Sequence, residues 1–188
     1  MNIPNQLTIA RFILAPVFLI FLLWQSLPHY SLIAFIIFVA AAVTDFIDGK
    51  LARKNNQITV FGKFLDPVAD KMLVTAALLG LMRMGLCNIW VVMIVLTREF
   101  IVTSVRLVAS SDGNVIAANI WGKLKTASQM IFISLILLLN ELLTEGILPD
   151  GFPLPLISNI LMWIIAVLTI VSGATYVYGA RKCISFKK

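Results

Sequence analysis

The sequence predicts an all-α, polytopic integral membrane protein of six transmembrane helices, and three observations predict it. Of the 188 residues, 60% are apolar and 13% charged, against about 45–50% and about 25% in soluble domains. Six apolar stretches alternate with polar or turn-rich breaks, and the basic residues gather on one side of that alternation. A mean hydropathy of +0.98 excludes disorder and makes an ordinary soluble enzyme improbable. A span takes roughly 20 residues, so six spans use about 120 and leave only short loops. Residues 1–188 therefore read as a single membrane-embedded domain.

The spans, in order, are residues 7–24, 31–44, 68–86, 89–108, 127–143 and 154–178. The first follows Met1-Asn2-Ile3-Pro4-Asn5, which lacks a basic n-region and a small-residue cleavage site, so it reads as a retained span and not a signal peptide. Pro28 breaks the first from the second. A polar stretch over 45–62 separates the second from the third, and residues 85–88 are a tight turn between the third and fourth. Residues 109–123 divide the fourth from the fifth. The last break, 145–155, holds three prolines and two glycines. Cys87 and Cys183 show neither CxxC nor Cys/His spacing, so both read as inert apolar fillers or lipid-near thiols.

Cytoplasmic loops hold an excess of Lys and Arg. With the N-terminus inside, fourteen of the fifteen basic residues fall on the inner side or inner half, and only Arg83 falls outside. The outer connections carry His29, Glu141, Glu145 and Asp150 instead. An even number of spans with both termini cytoplasmic fits this partition. The net charge of +6 is then an inner-face charge suited to anionic headgroups or phosphorylated substrates, with no nucleic-acid partner expected. Arg98 stands apart, because it sits beside Glu99 inside an apolar run, and charges at such depth usually face a bundle interior or hydrated cavity.

Four of the six aspartates, Asp45, Asp48, Asp66 and Asp70, fall in one window of 26 residues. The first two are three apart and the last two four apart, so on helices each pair projects from a single face. Four converging carboxylates repel unless a cation lies between them. All-oxygen ligands without nearby His or Cys favour Mg²⁺, Mn²⁺ or Ca²⁺ over zinc. Two such ions about 3.5–4 Å apart form a clamp for in-line displacement at phosphorus. Asp66 before Pro67 is the arrangement expected at a helix start. Gly49 and Gly62 leave room for a bulky ligand, and Arg53 offers a planar fork for phosphate.

The residues read Asp45-Phe-Ile-Asp48-Gly49-Lys-Leu-Ala52-Arg53, eight residues, then Gly62-Lys-Phe-Leu-Asp66-Pro-Val-Ala-Asp70. This resembles the signature of the CDP-alcohol phosphotransferase family, D-x2-D-G-x2-A-R-x8-G-x3-D-x3-D, at all eight fixed positions. The resemblance implies that family's fold, a homodimer of six-helix protomers with the active site open to the cytoplasmic side of the cell membrane. It implies that a CDP-linked lipid donates a phosphatidyl-type group to an acceptor hydroxyl and releases CMP. By position, Asp45, Asp48 and Asp66 ligate two Mg²⁺ or Mn²⁺ ions, and Asp70 is general base and a further ligand. Gly49, Ala52, Arg53 and Gly62 line the cytidine diphosphate pocket, and Thr59 hydrogen-bonds it. The opening segment, with Asn5, Thr8 and Arg11, touches the nucleotide.

The acceptor follows from a second basic set, Arg98, Arg106, Lys123 and Lys125, which spans four and five bring to the inner side. Four cations exceed what the donor diphosphate needs once metals are present, so an anionic acceptor fits. Thr97-Arg98-Glu99-Phe100 with Arg106, and Trp121-Gly122-Lys123-Leu124-Lys125-Thr126, are similar to segments of family members that use a phosphorylated polyol. The expected donor is CDP-diacylglycerol and the expected acceptor sn-glycerol 3-phosphate, with membrane lipids surrounding the helices. Inositol phosphate or serine is the alternative acceptor within the family. A cation transporter is the alternative of another class, since intramembrane carboxylates mark ion pathways too. Transporters usually repeat their broken helices in two halves, whereas these aspartates cluster once. A purely structural scaffold leaves them unexplained.

Overall fold

The computed structural model describes the backbone of residues 3–55, 60–111 and 120–181, and the side chains of 8–44, 68–69, 71–109 and 120–181. The described residues form six α-helices and no strand: α1 (Ile3–Leu23), α2 (Tyr30–Asn55), α3 (Val60–Arg83), α4 (Ile89–Ser111), α5 (Ile120–Thr144) and α6 (Leu154–Ala180). Each expected apolar stretch is carried by one helix. Helices α5 and α6 are long and apolar enough to cross a membrane, while α1 and α2 hold shorter apolar runs, Thr8–Leu23 and Tyr30–Thr44. In α3 and α4 charges interrupt the run, Lys71 in the one and Arg98, Glu99 and Arg106 in the other. Leu156, Ile160, Trp163, Ile164 and Val167 expose a continuous apolar face of α6 around a groove of about 560 Å³. A face of that kind suits an apolar surround and not water, which is consistent with a membrane protein.

The acidic window is organised differently from the expected polar break. Helix α2 runs on through Asp45, Asp48 and Arg53 to Asn55, and α3 already begins at Val60. The spacing of the aspartates is helical, and Leu51, Ala52, Arg53 and Lys54 favour helix, so the residues that end the apolar run do not end the helix. Asp66-Pro67 consequently lies in the second turn of α3 and is not its start. Proline inside a helix is tolerated where neighbours re-satisfy the freed carbonyl. Likewise α5 begins at Ile120, so Lys123 sits on its opening turn and not in the break, with Lys125 following on the same helix.

Helix α1 packs against both α2 and α3, α6 packs against both α4 and α5, and contacts of α2 with α5 and of α3 with α4 join the two groups. Small residues permit the close approach. A Cβ on Gly80 of α3 would stand 2.5 Å from Leu22 Cδ2 of α1, and Ala15, Ala34, Ala69, Ala76 and Ala77 are buried in the same seams. Phe18 and Phe38 fill the space between α1 and α2 with ring centroids 5.6 Å apart. Helices α3 and α5 both end in a left-handed glycine, Gly85 (φ 75°) and Gly146 (φ 69°). Leu86 N–H to Leu81 O (2.8 Å) and Ile147 N–H to Leu142 O (3.0 Å) close the six-residue loop that only a residue tolerating that φ allows without strain.

The connections 24–29, 84–88 and 145–153 share one end of the bundle, since His29 meets Glu141 and Glu145 and Ser158 donates to Leu86 O. The acidic signature lies toward the other, called here the motif end. At the connection end α2 is fastened to α5 by polar side chains. Glu141 accepts from His29 Nδ1 at 2.7 Å and from the Leu32 N–H at 3.0 Å. Ser31 Oγ donates to Leu137 O at 2.9 Å, and Asn140 Nδ2 to Tyr30 OH at 3.0 Å. The hydrogen bond to Glu141, then the charge of Glu145, hold the His29 imidazole above its ordinary value of 6.5. Burial pushes the Cys87 thiol up to about 11, which keeps it unreactive.

Candidate active site

The signature occupies two helices that pack on α1 and touch each other. Positions 45, 48, 49, 52 and 53 lie on the last three turns of α2, and positions 62, 66 and 70 on the first three of α3. The side chains of Asn5, Asp45, Asp48, Gly49, Ala52, Arg53, Gly62, Asp66 and Asp70 lie outside the described residues, as does the whole of Thr59. The donor set these helices present, four carboxylates with no His or Cys among them, fits a hard divalent cation. Thr8 and Arg11, three apart on the opening turns of α1, are both buried.

The basic set is described, and the structure divides it. Arg98 and Lys125 converge on a single carboxylate: Arg98 Nη1 lies 3.0 Å and Lys125 Nζ 2.7 Å from Glu99 Oε1. Arg98 Nη2 also donates to Ser172 Oγ of α6 at 2.7 Å. The close fit of Arg98 needs two glycines. A Cβ on Gly173 would come within 3.0 Å of Arg98 Cγ, and one on Gly122 within 3.5 Å of Nη2. Lys125 is only 4% exposed, and a buried ammonium is held by a paired carboxylate. Arg106 lies two turns nearer the helix end, where its Nε donates to Tyr176 OH at 3.2 Å and its guanidinium faces that ring. Lys123 is exposed on α5. Ser172 and Tyr176, one turn apart on α6, thus receive Arg98 and Arg106, one turn-pair apart on α4.

Further residues outside the expected site complete the arrangement. Lys71, next to Asp70 in α3, donates to Thr103 Oγ1 of α4, which ties the signature helix to the helix bearing Arg98. Between α3, α4 and α5 lies a cavity of about 30 Å³ walled by Lys71, Thr75, Glu99, Lys125, Thr126 and Gln129, among others. Lys125 and Gln129, four apart on α5, share one helix face, which was the one available sign of the pairing. Ser172 and Tyr176 carry the same four-residue spacing on α6. Chemically the site joins an acidic pair of helices, suited to metal and nucleotide, to a fixed cationic group suited to a second anion.

Residues 1–171 match the CDP-alcohol phosphatidyltransferase family. The chain is 42% identical over 186 residues to a protein of Bacillus subtilis (strain 168) named CDP-diacylglycerol–glycerol-3-phosphate 3-phosphatidyltransferase, covering 93% of each. Proteins of the same name in Rickettsia bellii (strain RML369-C) and Rickettsia typhi (strain ATCC VR-144 / Wilmington) are 35% and 36% identical, covering 96% and 93% of this chain and 96% and 94% of theirs.

Proposed function

The chain belongs to the CDP-alcohol phosphatidyltransferase family, and from that premise we propose that it transfers the phosphatidyl group of CDP-diacylglycerol to sn-glycerol 3-phosphate, giving phosphatidylglycerol phosphate and CMP. The observation that carries this reading is similarity over nearly the whole chain to proteins whose names specify both donor and acceptor. The complete signature supports the donor half, and the cations gathered on Glu99 support an anionic acceptor. An enzyme of this kind displaces the cation-transporter reading.

The acceptor's primary hydroxyl gives its proton to the Asp70 carboxylate and attacks the lipid-side phosphorus in line. The new O–P bond forms as the bond to the CMP phosphate oxygen breaks, and the electron pair leaves with CMP. Arg53 and the opening turns of α1 hold the nucleotide end of the donor. Arg98 and Lys125 take the acceptor phosphate, each already oriented by Glu99, so no reorganisation is needed when the anion arrives. Arg106 and Lys123 extend that positive surface toward the helix ends. The family is generally metal-dependent. Asp45, Asp48, Asp66 and Asp70 would hold two Mg²⁺ or Mn²⁺ ions, which neutralise phosphate charge when bound. The single domain of residues 1–188 crosses the cell membrane six times, with both termini and the site cytoplasmic, and functions as a homodimer.

The test is product identification with purified protein, CDP-diacylglycerol and, in turn, sn-glycerol 3-phosphate, inositol phosphate and serine. Phosphatidylglycerol phosphate from the first, with one CMP released per lipid formed, is expected. Product from either of the others and none from the first would assign a different acceptor.

A further inference from the structure

The cavity between α3, α4 and α5 holds one group that the reaction as described leaves without a use. Gln129 is 1% exposed, and its Nε2 has no hydrogen-bond partner. Buried polar groups in folded proteins are nearly always paired, so an orphaned amide inside a helical bundle marks a place where something polar arrives. Its surroundings are polar too. Glu99 and Lys125 line the same cavity, with the Thr75 and Thr126 hydroxyls and Lys71. At about 30 Å³ the cavity admits one or two water-sized groups, since a water needs roughly 10–15 Å³ by the same measure. A hydroxyl on its carbon enters there.

Its position relative to the reacting atoms is set by the helices. Position 70 is the eleventh residue of α3 and Gln129 the tenth of α5, and both helices run from the motif end. Lys71, the neighbour of position 70, lines the cavity together with Gln129. Val74, one turn beyond position 70 on α3, lines the cavity too. Two adjoining requirements thus meet in one place, a base for one hydroxyl and an unused amide for a neighbouring polar group.

Resting on the acceptor assigned above, we propose that Gln129 is a specificity-determining residue that binds the secondary hydroxyl of sn-glycerol 3-phosphate. That hydroxyl is on the carbon next to the attacking one, which places it beside Asp70's substrate oxygen. It accepts a hydrogen bond from Gln129 Nε2 and donates to the Glu99 carboxylate, whose four lone-pair sites exceed the two cations on Oε1. The phosphate remains with Arg98 and Lys125. A hydroxyl needs both a donor and an acceptor, and the cavity supplies one of each.

The test compares kcat/KM for sn-glycerol 3-phosphate with that for 3-hydroxypropyl phosphate, which lacks only the secondary hydroxyl. It uses wild type, Gln129→Leu and Gln129→Met on the same preparations. A site built around a substrate hydroxyl rejects the analogue lacking it strongly, so wild type is expected to prefer the natural acceptor by about 100-fold or more. In the variants the preference is expected to fall below ~10-fold through loss on the natural acceptor. The ratio is independent of the fraction of folded enzyme, and two substitutions of similar volume guard against failure of one to fold. An unchanged ratio in the variants, or no preference in wild type, overturns the proposal. Wild type that forms no product from sn-glycerol 3-phosphate yet uses another alcohol overturns the acceptor assignment instead, a distinguishable outcome.

Discussion

The two ends of α5 carry buried polar residues of similar kind and treat them in opposite ways. At the connection end Asn140 and Glu141 are spent on the protein itself, reaching Tyr30, Ser31 and the Leu32 N–H of α2 and the His29 ring. At the motif end Lys125 is fixed on Glu99, but Gln129 Nε2 and Arg98 Nε remain unpaired. Between them Ile133, Ile136 and Leu137 form an apolar stretch. A hydrogen-bonded network whose members satisfy one another rigidifies a fold, whereas a buried group left over calls for a partner of its own. On the proposed function, one helix is thus a clasp at one end and a binding wall at the other.

Substitutions at the two ends are expected to separate chemistry from stability. The largest effect belongs to the motif end: Asp70→Asn should reduce CMP release by about 10²–10⁴-fold, the range general-base catalysis supplies, with thermal stability in detergent little changed. Near-normal turnover would remove the base from its role. Glu141→Ala at the opposite end should show the reverse. Loss of the acceptor for His29 and the Leu32 N–H is expected to cost about 1–3 kcal/mol of stability. The kcat/KM of the folded protein should stay within about twofold of wild type, because the site lies at the far end of helices some 35 Å long.

The smallest effect is a pH dependence confined to the connection end. The folded-state pKa of His29 is raised by its hydrogen bond to Glu141 and by the charge of Glu145. The contribution is therefore fully present below the ordinary histidine value of 6.5, and it is lost as pH rises through the higher folded-state value. The melting midpoint should decline over that window, and His29→Gln should remove that part of the decline. A midpoint that rises across the same window would contradict the pairing.

Six helices are legible in the sequence because apolar runs and turn residues are local signals, and the helices found carry the expected stretches. The extent of α2 and α3 was less legible. Hydropathy changes at Asp45, yet the backbone obeys the helical spacing of Asp45, Asp48, Ala52 and Arg53, and the helix continues. The Asp66-Pro67 pair resembles a helix start while lying inside one. In the basic set, all four cations were expected on the inner side and Glu99 stands beside Arg98 in the sequence, but nothing local says that Lys125 joins that pair, or that Arg106 turns to Tyr176. Those pairings link helices 26 to 74 residues apart and depend on how each helix is rotated in the bundle. Gln129 and Ser172, single polar residues in apolar helices, acquire meaning only from that rotation.

The Michaelis constant for sn-glycerol 3-phosphate in the Lys125→Met protein tests most directly whether the motif end of α5 is the acceptor's wall. Loss of a charged hydrogen bond to phosphate, worth about 1.5–3 kcal/mol, predicts a rise of about 10–100-fold with the constant for CDP-diacylglycerol unchanged. An unaltered constant for the acceptor, or an equal rise for both substrates, would contradict it.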